Sequence, residues 1–108
     1  MTKSISYKGV TYRLEFCLDS LVYLEDIGFD GGEFDNRPFS MLSKLVNGAF
    51  HMHHPELSMA ETNELYVKGV GAKKKGAFIS DLTKMYEDAA KDIMGDEGDE
   101  GNSEGTAD

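Results

Sequence analysis

Three histidines, His51, His53 and His54, fall within four residues and form the densest group of side chains here that could bind a metal or move a proton. Their spacing does not suit a metal. Helical ligands that share an ion stand three or four positions apart, so that both imidazoles point the same way. Only His51 and His54 meet that rule, and they do so where Pro55 stops a helix. They read instead as helix C-terminal residues, favourable against the negative end of the dipole. Glu25 and Asp26 are adjacent carboxylates, but helix neighbours point about a quarter-turn apart, so they are no acid/base pair. Asp19 and Ser20 have no histidine placed as a base. Asp30-Gly31-Gly32-Glu33 with Asp35 resembles a calcium loop in composition only, without its alternating ligands and closing glutamate. Lys68-Gly69-Val70-Gly71 followed by Lys73 lacks the preceding strand and the Gly-Lys-Ser/Thr ending of a phosphate loop. Cys17 is the only cysteine; it reads as a buried, inert thiol at a strand end and excludes an intrachain disulfide. The sequence therefore assigns no catalytic, cofactor-binding or metal-ligating residue. It reads as a binding module rather than an enzyme.

The elements that carry these residues are legible in the hydrophobic pattern. Ile5, Tyr7, Val10, Tyr12, Leu14 and Phe16 alternate with polar residues. If Lys8-Gly9 is a two-residue turn, Tyr7 faces Val10, Ile5 faces Tyr12, and all six apolar side chains share one face. Such a hairpin is unstable alone and must lie on helices. Asp19 is expected to cap a short helix over Ser20 to Ile27, stopped by Gly28. Phe29 to Arg37 reads as a loop, and Pro38 suits the first turn of a second helix. There Leu42, Leu45, Val46, Ala49, Phe50 and His53 form a core-facing stripe. Ser58 and Glu61 form a capping box for a third helix, which turns Leu65, Tyr66 and Val70 inward. A fourth, from Lys74 or Ala77 to Met94, carries Phe78, Leu82, Met85, Tyr86, Ala89 and Ile93 on one side. The expected architecture is mainly α: an N-terminal β-hairpin on a small bundle of about four helices.

Residues 1–94 make one domain on this reading, and 95–108 a disordered Gly/Asp/Glu tail with nothing larger than alanine to bury. Of the net charge of −9, the tail holds −6 through Asp96, Glu97, Asp99, Glu100, Glu104 and Asp108, leaving −3 for the body. A net-negative body offers no surplus cations to release counterions, which counts against a nucleic-acid partner. Lys73-Lys74-Lys75 is the one dense basic patch and reads as a solvated face. No apolar segment approaches the ~20 residues that span a bilayer, and none near the start has signal-peptide character. A soluble intracellular protein is expected, without a membrane partner. Six methionines, among them Met41, Met52, Met59 and Met85, supply either adaptable surface or core filler.

One order of motifs is more specific. A strand pair precedes Phe16-x-x-Asp19-x-Leu21-x-x-Leu24-Glu25-Asp26-x-Gly28. An amphipathic helix then closes in His53-His54-Pro55-Glu56-Leu57-Ser58-x-x-Glu61. Over residues 7–94 this resembles the tail assembly chaperones of long-tailed, siphovirus-type bacteriophages. The resemblance implies a non-catalytic protein without cofactors, made in the host bacterial cytoplasm and absent from the mature virion. It would bind the long helical tape measure protein and keep it soluble while the tail tube polymerises around it. It would also self-associate. Many such proteins are made in two lengths by a programmed ribosomal frameshift, the longer form recruiting tail tube protein. The resemblance carries over no partner-binding residue. The alternatives are a structural head–tail or tail component of the virion and a small acidic phage regulator or inhibitor. Acids concentrated in one tail rather than over a folded face weigh against the regulator.

Overall fold

The Lys8-Gly9 turn sets the register of the N-terminal hairpin. In the computed structural model, which describes residues 2–95, both residues take positive φ, 51° and 78°, as a two-residue turn matched to strand twist requires. Strand β1 (Lys3–Tyr7) pairs antiparallel with β2 (Val10–Leu14), Tyr7 opposite Val10 and Ile5 opposite Tyr12. Ile5, Leu14 and Phe16 are buried and Tyr7 and Tyr12 half-buried, whereas Val10, beside the turn, stays 48% exposed.

Four α-helices follow among the described residues: α1 (Leu18–Asp26), α2 (Pro38–His51), α3 (Met59–Gly69) and α4 (Lys75–Met94). Two short 3₁₀ turns, Gly31–Glu33 and Ala72–Lys74, lie in the connections. Helix α1 starts earlier than its sequence indicates. Cys17, not Asp19, is the N-cap, and its backbone N–H donates to Ser20 Oγ at 3.2 Å. Ser20 is itself fully buried and so turns inward to that amide, while Asp19 is left in the exposed first turn. Cys17 is half-buried rather than buried. Pro38 occupies the first turn of α2 and the Ser58–Glu61 capping box opens α3, both as expected. Helix α2 stops at His51 rather than reaching His53: the His53 amide closes a tighter turn onto the Phe50 carbonyl, and Pro55 disfavours helical backbone at His54.

Helix α2 is the hub, touching α1, α3, α4 and β2. Leu45, Val46, Ala49 and Phe50 of its stripe are buried, joined by Met41, while Leu42 is half-buried. Leu24, Leu65, Phe78, Leu82 and Met85 complete the core from the other helices. Ile93, at the far end of α4, lies beyond the layers that could cover it and is 38% exposed. Strand β1 packs on α3, with Ile5 directly on the Gly69 backbone. The architecture is thus the expected one, mainly α with the hairpin laid on four helices. The tail expected to be disordered lies, apart from Gly95, outside the described residues.

Candidate partner-binding surfaces

The three histidines end up with three separate partners. The His51 ring stacks on Tyr23 of α1, centroids 4.0 Å apart and planes within 7°. His53 Nε2 stands 2.9 Å from Oε1 of Glu15. His54 Nε2 accepts the backbone N–H of Arg13 at 3.2 Å, and its ring meets Tyr12 edge-on. Together with the Glu15 amide, which donates to the Ala49 carbonyl at 3.0 Å, they fasten the end of α2 to the end of β2 and to α1. No group of three or more His, Cys, Asp or Glu among the described residues is placed to hold a metal. The Glu15 carboxyl is held below its ordinary value, chiefly by the hydrogen bond from His53 and secondarily by the Arg13 charge, against the opposing effect of burial.

Behind the histidines runs a polar chain that the hydrophobic pattern conceals. The Tyr23 hydroxyl donates to Asn47 Oδ1, Asn47 Nδ2 donates to Thr62 Oγ1 at 3.1 Å, and that hydroxyl donates to the Met59 carbonyl at 3.2 Å. Asn47 and Thr62 are buried. The chain joins α1, α2 and α3, and its satisfied groups fix their register rather than face a substrate.

Among the surface grooves of the described residues, three bear on partner binding. Between α2 and α3 a groove of about 240 Å³ is floored by Leu42, Val46 and Tyr66 and flanked by Phe39 and Val67, which are 84% and 59% exposed. An exposed phenylalanine beside an apolar floor is the kind of anchor a helical partner uses. A second groove of about 340 Å³ lies between the start of α1 and α4, with Leu18 56% exposed and Glu15, Asp88 and Asp92 on its rim. The third, of about 650 Å³, runs along β1 beside the segment Gly69–Lys74 and the start of α4.

The lysine run divides at this third groove. Lys75 Nζ donates to the Val67 carbonyl at 2.9 Å and to the Val70 carbonyl, satisfying the end of α3, and lies over the Tyr66 ring. Lys73 and Lys74 are exposed, as expected of a solvated face. The expectation fails only for Lys75, whose partners depend on the chain turning back at Gly71. The methionines divide too: Met41 and Met85 are core, whereas Met52 is 42% exposed. No helix among the described residues is long and apolar enough to cross a membrane.

A family model described as a domain of unknown function (DUF5055) matches residues 1–108 of the chain. No curated protein and no solved structure matches it.

Proposed function

We propose that this chain, which belongs to the DUF5055 family, is a phage tail assembly chaperone that binds the tape measure protein and keeps it soluble during tail morphogenesis. The observation that carries the reading is the groove between α2 and α3, with Phe39 84% exposed at its rim and Val67 59% exposed opposite. Large apolar side chains held out beside an apolar floor favour burial against a partner, at about 25 cal/mol per Å². A groove bounded by two helices suits the apolar stripe of a third. A tape measure protein offers such stripes repeatedly, so many copies would bind one filament, and weak contacts would gain from neighbours. The resemblance over residues 7–94 points the same way. Host cytoplasm as the place of action, absence from the virion, self-association and recruitment of tail tube protein through a longer frameshifted form belong to the same proposal.

The test is co-expression with the tape measure protein of the same phage. The chain should keep that protein soluble and co-purify with it in many copies. Phe39→Asp with Val67→Asp should abolish both effects while leaving the thermal midpoint of the free chain unchanged, since both side chains are exposed. Stoichiometric recovery of the chain from mature particles would support a structural virion component instead. No binding to the tape measure protein would remove the chaperone reading.

A further inference from the structure

The two edges of the hairpin are treated differently. Starting from the bonded pair Tyr7 and Val10, alternate residues of an antiparallel ladder turn their backbone groups outward. On β2 and just beyond it two of the outward amides, those away from the turn, are used: Arg13 donates to His54 and Glu15 to the Ala49 carbonyl. On β1 the outward groups belong to Ser4 and Ser6, which make no further backbone hydrogen bond among the described residues. They open onto the 650 Å³ groove whose far wall is Gly71–Lys74. An open strand edge beside a groove is a place for an extended segment to add.

The walls state the charge of that segment. Lys73 and Lys74 are exposed, and no carboxylate among the described residues pairs with either. Lys3 also lines the groove, its Nζ 2.7 Å from Asp81. The chain carries a matching segment in 96–108, which has six acids and no Lys or Arg. The groove sits at the start of α4 and this segment leaves its other end. A helix of 20 residues is about 30 Å long. Folding back over that distance would use about nine extended residues, so only Glu104 and Asp108 would reach the lysines of their own chain. Asp96, Glu97, Asp99 and Glu100, the densest acids, would be spent in the span. A neighbouring molecule meets no such limit.

We propose that the β1-edge groove takes the acidic 96–108 segment of a second copy of the chain, so that copies join head to tail. Such a contact uses unlike surfaces on the two molecules and extends into an open chain unless its rotation closes a ring. It needs no tape measure protein, so its failure and that of the chaperone reading are separate results.

Light scattering on the full chain tests it. The mean mass should rise with concentration at low salt and fall to that of the monomer at about 1 M salt, where charges are screened beyond about 3 Å. A groove-blocked variant (Lys73→Glu with Lys74→Glu) and a tail-neutral variant (Asp96→Asn, Glu97→Gln, Asp99→Asn, Glu100→Gln) touch no core residue. Each should stay monomeric alone. Mixed in equal amounts they should form a dimer and nothing larger, because one groove and one acidic segment remain. A monomeric wild type at low salt, either variant associating as the wild type does, or a mixture that stays monomeric would each overturn the proposal. So would a monomeric wild type in which neutralising the tail shifts the Ser4 and Ser6 amide resonances, since that places the segment in its own groove.

Discussion

A Cβ built on Gly48 of α2 would lie 2.5 Å from the Cδ2 of Leu24 on α1, so the two helices approach to a distance only glycine permits. Leu24 is 1% exposed and has nowhere to move. Gly48→Ala should therefore destabilise the domain by about 1–3 kcal/mol through overpacking. This runs against helix propensity, which favours alanine. Gly76, in the first turn of α4, is the control, since nothing lies within 4 Å of its Cβ position. Gly76→Ala should stabilise by about 0.5–1 kcal/mol. Urea unfolding of both variants checks the pair, and equal signs would refute the packing argument.

Leu45 is 1% exposed at the centre of α2. Leu45→Ala should cost about 2–5 kcal/mol, a large share of the stability of so small a domain. A loss below about 0.5 kcal/mol, typical of surface positions, would mean that this face of α2 is not core.

The hairpin register, the capping box of α3 and the start of α2 were all legible because each rests on local chemistry: a turn pair, a Ser/Glu spacing and a proline. The start of α1 was not, because Asp19 looks the better cap and only burial makes Ser20 turn to the Cys17 amide. Asn47 and Thr62 were missed for a related reason. A polar residue beside an apolar stripe reads as surface until another helix supplies its partner. The grooves depend on how α2, α3 and β1 lie against one another, which no single periodicity records. Phe39 is the nearest thing to a signal, an aromatic residue outside the stripe of α2.

Asn47→Ala should take the acceptor from the Tyr23 hydroxyl and the donor from Thr62 Oγ1, which keeps only its own bond to the Met59 carbonyl. The cost is about 1–3 kcal/mol, set by the two hydrogen bonds lost. Adding Thr62→Val should cost less than it does in the wild type, because one of the two partners of that hydroxyl is already gone. A double-mutant cycle measures that coupling, and strict additivity would show that the two side chains act independently.

The lowered pKa of Glu15 fixes the sign of a pH effect. Its folded-state value lies below the ordinary 4.5, so its contribution is present above 4.5 and is lost as pH falls through the lowered value. Glu15→Gln should melt below the wild type at neutral pH, and the gap should close in acid. A gap that widens in acid would contradict the His53–Glu15 pairing seen at 2.9 Å.

The seating of Ile5 on Gly69 sets an order of events during synthesis. The hairpin leaves the ribosome first, yet the end of the helix that covers it is made more than half a chain later. At roughly 5–20 residues per second, its apolar face waits about 3–13 s for a surface to rest on. Through that interval the exposed apolar face makes the nascent chain a target for folding chaperones. Stalled chains ending before Ala72 should leave the hairpin open to protease, and chains released from the ribosome with α3 and α4 made should protect it.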